Sequence, residues 1–228
     1  MTQAIWQTGS SQDPDAAIMA FLAGEDIVHD QVLFPFDIRA TRAHVRGLQR
    51  IGVLSEDEGK NICALLDQLA TEYKGGDFSL DDRFEDGHSA IEHYLTEKAG
   101  TVGEKVHTGR SRNDQVLVAS RLFLKDALDC LEQSVLEIAT TCLDRAEAEA
   151  HTPMPGYTHL QRAVPSSIGM WLGGFAEAFA DTLDFVRGVA AVIDCNPLAL
   201  RRAMGSICLS IVMVWARNSD LAGFKSIP

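Results

Sequence analysis

The stretch SRNDQVLVASRLFLKDALDCLEQSVLEIATTCLDRAEAEA, residues 111–150, decides the fold. Within it Leu117, Leu124, Leu131 and Ile138 recur seven apart, and Leu128, Val135 and Cys142 form a second series offset by four and three. This is the a/d pattern of one long amphipathic helix ending near Ala150. The next stretch, HTPMPGYTHLQRAVPSS, breaks the helix with three prolines and a glycine. A second long helix follows, with Ile168, Leu172, Phe175, Phe179, Val186, Ala190 and Ile193 at helical spacings. Two long helices joined by a turn predict an all-α, elongated helical bundle.

Upstream, residues 1–16 read as an irregular arm. From about Ile38 to Leu69 the pattern is helical, broken near GVLSEDEG, where Ser55 and Glu58 form an S-x-x-E capping box. YKGGDFSLDDRFEDG reads as a loop, and HSAIEHYLTEKAG as a short helix ending in glycine. Strand-like alternation is hard to find.

The chain has 228 residues, is 46% hydrophobic and carries a formal net charge of -12. Such a balance argues against a general grip on nucleic acid, which needs many cations against phosphate. A locally positive cluster can still take an anionic substrate. The N-terminus lacks the basic-then-apolar pattern of a signal peptide, and no apolar run is long enough to span a bilayer. Five cysteines without a CxxC pair suggest reduced thiols. The expected setting is cytoplasmic, with no membrane partner.

Three constellations carry possible chemistry. In HTGRSRNDQV, Ser111 and Asp114 make an S-x-x-D start to the long helix. Free N–H groups and the helix dipole there, joined by Arg110, Arg112 and Asn113, would hold a carboxylate. A capped helix whose arginines pair with nearby acids explains the same residues. In PGYTHLQ, Thr158, His159 and Gln161 stand in a break between helices, and His159 can exchange a proton near neutrality. A hydrogen-bonded surface histidine remains the plainer alternative. In EDGHSAIEHYL, His88 and Glu92 share a helical face, but H-E-x-x-H is absent and no metal site is expected.

Length links the first two. About 38 residues separate Arg112 from Ala150, and at roughly 1.5 Å per residue the helix is about 57 Å long. RSRND and GYTHLQ of one chain are thus expected at opposite ends of a rod. If they serve one site, different chains supply them.

HTGRSRNDQ followed by PGYTHLQRAVPSS, with FEDGHSAIEHYLTEKAG upstream, resembles the signature regions of argininosuccinate lyase, a family of the fumarase/aspartase superfamily. The similarity runs from about residue 5 to Leu198. It implies reversible elimination of fumarate from argininosuccinate to give arginine, with no metal or redox cofactor. By resemblance His159 is the proton acceptor and Asn113 and Thr158 contact substrate. Ser111, Arg112 and Gln161 line the pocket, and His88 lies near it. The resemblance also implies a homotetramer whose sites draw on three chains. It divides the chain into an N-terminal helical domain (1–108), the first part of a central long-helix bundle (109–198) and an aberrant tail (199–228).

Two departures accompany the resemblance. Where the family has a substrate-binding serine, AGEDIVHD has Asp26, an unfavourable neighbour for a polyanion, so that contact is not carried over. After CNPL the family pattern GxxAGYGxxLPLDR is replaced by ALRRAMGSICLSIV. One permitted encoding of this tail recovers a family-like run when a single base is inserted after Leu198. A frameshift is therefore expected, and with it a bundle incomplete on its C-terminal side and no turnover from the chain alone. A non-catalytic, co-assembling relative and another fumarate-releasing lyase are the competing expectations.

Overall fold

The computed structural model describes residues 26–81 and 83–194, the side chain of Asp26 excepted. The expected arm over 1–16 and the tail over 199–228 lie outside these residues. The described residues divide into two compact units, one reaching Phe123 and the other running from Leu124 to Asp194.

The first unit is built on three helices, α1 (Asp26–Arg50), α2 (Glu56–Gly75) and α3 (Gly87–Ala99), followed by the short α4 (Thr101–Glu104) and a 3-10 turn at Lys105–His107. The break between α1 and α2 falls where GVLSEDEG predicts it. Ser55 Oγ accepts from the Glu58 amide at 3.2 Å, and the Glu58 carboxylate accepts from the Ser55 amide at 2.7 Å. An equivalent box, Asp86 with Ser89, starts α3. On α2, Ile62, Leu66 and Leu69 lie at i, i+4 and i+7 and are fully buried. They join Phe34, Leu48 and Leu95 in one core cluster. Each such side chain contributes about 1.5–3 kcal/mol by leaving water.

Helix α1 contains a proline, Pro35. Its ring nitrogen has no hydrogen, so the carbonyl four residues earlier, on Gln31, loses its helical donor. Tyr73 of α2 supplies one, its hydroxyl donating to that carbonyl at 2.7 Å. Around it, Phe34 packs edge-on to Tyr73 and stacks on Phe78.

Helix α5 (Arg112–Ala148) is continuous over 37 residues, matching the heptad reading of 111–150. The predicted a series faces outward in the single chain: Leu117, Leu124, Leu131 and Ile138 are all exposed. Val135 of the second series is buried, and Leu128 and Cys142 are half-buried.

In the second unit, α5 is followed by two antiparallel strands, β1 (Pro153–Thr158) and β2 (Gln161–Ser167), and then by α6 (Ile168–Ile193). Ion pairs Arg187–Glu132 at 2.8 Å and Lys125–Asp194 at 2.5 Å show α6 running back along α5. At Gly169 the two backbones approach so closely that a Cβ would lie 2.4 Å from the Ala146 carbonyl oxygen. Among the described residues the hairpin departs from the all-α expectation. No residue of either strand is fully buried, so no apolar core-facing alternation marks them in the sequence.

Candidate active site

Gly109, at φ 76°, turns the chain into the segment that opens α5. The Asp114 carboxylate accepts from both the Ser111 amide, at 2.8 Å, and the Ser111 hydroxyl, at 2.9 Å. Ser111 thus starts the helix as its spacing predicts, with the hydroxyl turned to Asp114. Asn113 is exposed on the first turn.

The two arginines part company. Arg112 forms a bidentate pair with Glu85, both contacts at 2.7 Å, and approaches Asp86 at 3.3 Å. The Glu85 carboxylate, with Asp86 beside it, raises the pKa of this guanidinium although partial burial opposes the charge. Arg110 points inward. It is buried, and its Nη1 donates to Thr41 Oγ1 at 3.0 Å. Its Nε and Nη2 are buried without a hydrogen-bond partner among the described residues. Burial lowers its pKa, against the attraction of Asp37, Glu92 and Asp114. Arg110, grouped in the sequence with Arg112 and Asn113 as a candidate carboxylate grip, is instead turned inward as a buried tie to α1.

His88, in the first turn of α3, is also buried, and its Nδ1 bonds to Asp37 Oδ2. Burial works against a charged ring here, but Asp37, Asp86 and Asp30 together outweigh it and raise the pKa. A small pocket lined by Asp30, Asp37, Gly87, His88, Val116 and Ala119 opens beside it. Asp30 Oδ2 accepts from the Gly87 amide at 2.7 Å, and burial raises the Asp30 pKa. His88, Ser111, Arg112 and Asn113 thus all belong to the first unit. Glu92, paired with His88 in the sequence reading, instead bonds to His107 Nδ1 at 2.5 Å.

Thr158, His159 and Gln161 belong to the second unit, at the tip of the β1–β2 hairpin. Thr158 and Gln161 are the closing cross-strand pair. His159 at φ 50° and Leu160 at φ 64° form the two-residue turn. Positive φ at both central positions is the tight-hairpin geometry that Asn-Gly usually fills. Leu160 holds it while 95% exposed, so burial offsets none of the strain. All four side chains face solvent in the single chain. Gly156 marks an irregularity in the register, and a Cβ there would lie 2.9 Å from the Val164 carbonyl oxygen.

Asp37, Thr41 and His44 escaped the sequence reading. They are polar residues at i, i+4 and i+7 within an otherwise apolar helical face, a signal that spacing alone can provide. Among the described residues no group of three His, Cys, Asp or Glu is placed to hold a metal, and no helix is long and apolar enough to cross a membrane.

A family model described as Lyase matches residues 13–200. The chain is 54% identical to the argininosuccinate lyase of Xylella fastidiosa over 191 residues, covering 84% of this chain and 43% of that protein. It is 50% identical to that of Stenotrophomonas maltophilia over 205 residues, covering 90% and 47%. Among solved structures, an EDDS lyase variant with bound fumarate superposes with a TM-score of 0.73 at 28% identity, covering 93% of this chain and 42% of that one. A Brucella melitensis fumarate lyase:delta crystallin, at 18% identity and TM-score 0.70, shares the fold, covering 87% and 47%. The chain spans somewhat under half the length of the curated relatives it matches. With its long-helix architecture and both motif regions inside the matched span, it belongs to the Lyase family, as a homologue of argininosuccinate lyase over the part of that protein it covers.

Proposed function

We propose that this chain takes part in argininosuccinate lyase chemistry, the reversible elimination of fumarate from argininosuccinate to give arginine. The carrying observation is the 54% identity over 191 residues, a span that takes in the EDGH, RSRND and GYTHLQ segments. The EDDS lyase to which the chain is similar was solved with fumarate, the unsaturated dicarboxylate this reaction releases.

In the proposed reaction a base takes the proton from the carbon beside one substrate carboxylate. The electron pair becomes the new C=C bond, the C–N bond breaks, and the departing guanidinium nitrogen gains a proton. His159 is assigned the base. Its place on a two-residue turn leaves the ring exposed, able to enter a site formed with other chains. Asn113 and Thr158 are assigned substrate contacts, with Ser111, Arg112 and Gln161 lining the pocket and His88 near it. No metal or redox cofactor is required.

The outward-facing Leu117, Leu124, Leu131 and Ile138 suit association along α5, and a homotetramer with shared sites belongs to the proposal. So does the division into residues 1–108 and 109–198. A cytoplasmic setting agrees with the free thiols of Cys63, Cys130 and Cys142.

A second reading follows from the coverage of 43–47% of the relatives. Here the chain lends one part of a shared site to a longer subunit. Purified chain is given argininosuccinate, and fumarate is followed by its ultraviolet absorbance. It is then co-expressed with a full-length lyase disabled at its own proton-accepting histidine. Turnover alone supports the first reading, and turnover only on co-expression supports the second. No turnover in either arm leaves a lyase homologue that neither catalyses alone nor lends a site, and overturns both readings of its activity.

A further inference from the structure

We propose that Asp37, Thr41 and His44 of α1 are positioning residues that hold the EDGH turn and the TGRSRND segment in register with each other. The three are buried, at 2%, 0% and 1% exposure, and face one side of α1 at i, i+4 and i+7. Each bonds out of the helix to a distant segment. Asp37 Oδ2 accepts from His88 Nδ1. Thr41 Oγ1 accepts from Arg110 Nη1 at 3.0 Å. His44 Nε2 donates to the Thr108 carbonyl at 3.0 Å. Successive turns of one helix therefore fix His88 and the two residues flanking Gly109, just before Ser111 and Asn113.

An apolar stripe would serve stability as well or better. The neighbouring core positions Phe34, Ile38, Val45 and Leu48 are apolar and buried. A buried polar group stabilises little net, yet costs about 1–3 kcal/mol when its partner is lost. A misplaced 108–111 segment would leave Thr41, His44 and Arg110 unpaired inside the core. The stripe consequently penalises any other register, the best-attested use of buried polar groups.

The bond from His44 requires hydrogen on Nε2, which the neutral ring provides in its Nε2–H tautomer. From the facing elements, Arg110 and His107 oppose its charge, while the Thr108 and Val106 backbones bond to it. Burial and Arg110 both hold its pKa well below the usual value. Protonation would set a second buried cation beside Arg110, so acid loosens the attachment of the loop.

Hydrogen exchange on the intact chain tests this directly. Thr41→Val removes the acceptor and nearly preserves shape. The Thr108, Arg110 and Ser111 amides should then exchange about tenfold faster, with Ile62, Leu66 and Leu69 of α2 changed by less than about twofold. Thr41→Ser should restore protection. Acceleration of α2 to the same degree would reduce the stripe to general stabilisation and overturn the proposal, as would no change at 108–111. Should Thr41→Val fail to fold, His44→Gln decides, because it keeps a donor and cannot ionise. As pH falls below about 6.5, protection at 108–111 should drop in the wild type and hold in His44→Gln; parallel loss in both overturns the proposal. The role of the positioned groups in catalysis rests on the functional reading above, but the exchange assay does not. Failed turnover in both arms with segment-specific exchange sinks the proposed activity alone, and uniform exchange sinks the positioning alone.

Discussion

The Tyr73 hydroxyl donates to the Gln31 carbonyl, the acceptor that Pro35 leaves without a helical donor. A defect in α1 is thereby offset from α2, and the two helices are tied at that height. Tyr73→Phe is expected to lower stability by about 0.5–1.5 kcal/mol. In a Pro35→Ala background the new amide supplies the donor, and the same substitution should then cost much less. Chemical denaturation of the four proteins in this cycle measures the coupling; equal losses in both backgrounds would show that the hydroxyl does not compensate for the proline.

Glu85 and an anionic ligand would compete for Arg112. The guanidinium is held bidentately by Glu85 with Asp86 at 3.3 Å, so its charge is largely spent within the protein. Glu85→Gln should free it and tighten fumarate binding, by about threefold or more for a partly exposed pair. Titration of fumarate against the Asn113 side-chain amide signal reads the effect. Weaker binding in the variant would mean that Glu85 orients Arg112 for the ligand.

At the hairpin tip, geometry and composition disagree. Leu160 is a branched residue at φ 64°, a region costly to any side chain with a Cβ, and its own is almost fully exposed. Leu160→Gly should stabilise the hairpin by about 0.5–1 kcal/mol, because strain is removed and no burial is lost. If the turn presents His159 for proton transfer, the same change lowers turnover in whichever assembly is active. Gly156→Ala should act oppositely, opening the strands where a Cβ would meet the Val164 carbonyl oxygen at 2.9 Å. Thermal unfolding and amide exchange across Pro153–Ser167 separate the two.

The long helices were legible because their apolar residues keep helical spacing without glycine or proline over 111–150. The Ser55–Glu58 box was legible because a cap is a local chemical event. The hairpin was hidden for a physical reason: its strands have no apolar core-facing side to alternate, and three prolines look like a plain break. Arg110 was misread because an arginine in a polar segment gives no sign of which way it points. Among the described residues Thr41, 69 residues away and itself unremarkable, receives its side chain. The proposed sharing of the Ser111–Asn113 and Thr158–Gln161 regions in one site would rest on association between chains, which local spacing does not encode.

His44 and His88 should give the stability profile two limbs of opposite slope. His44 has a folded pKa well below its ordinary 6.5, so the unfolded chain binds its proton first as pH falls. Its contribution is intact above about 6.5 and is lost as pH drops from there toward the folded value. His88 has a raised folded pKa, so its stabilisation is complete below 6.5 and disappears as pH rises through the folded value. Carboxylates titrate mostly near 4, leaving about pH 5 to 6.5 as a window for His44. His44→Gln should flatten the acid limb in that window and leave the alkaline limb in place. Asp37→Asn, which removes the charge that favours protonated His88, should flatten the alkaline limb and leave the acid one. Denaturation midpoints taken across pH for the three proteins check both. If His44→Gln flattens the alkaline limb instead, the two rings have been assigned the wrong charge states, and the neutral His44 that donates to Thr108 would have to be abandoned.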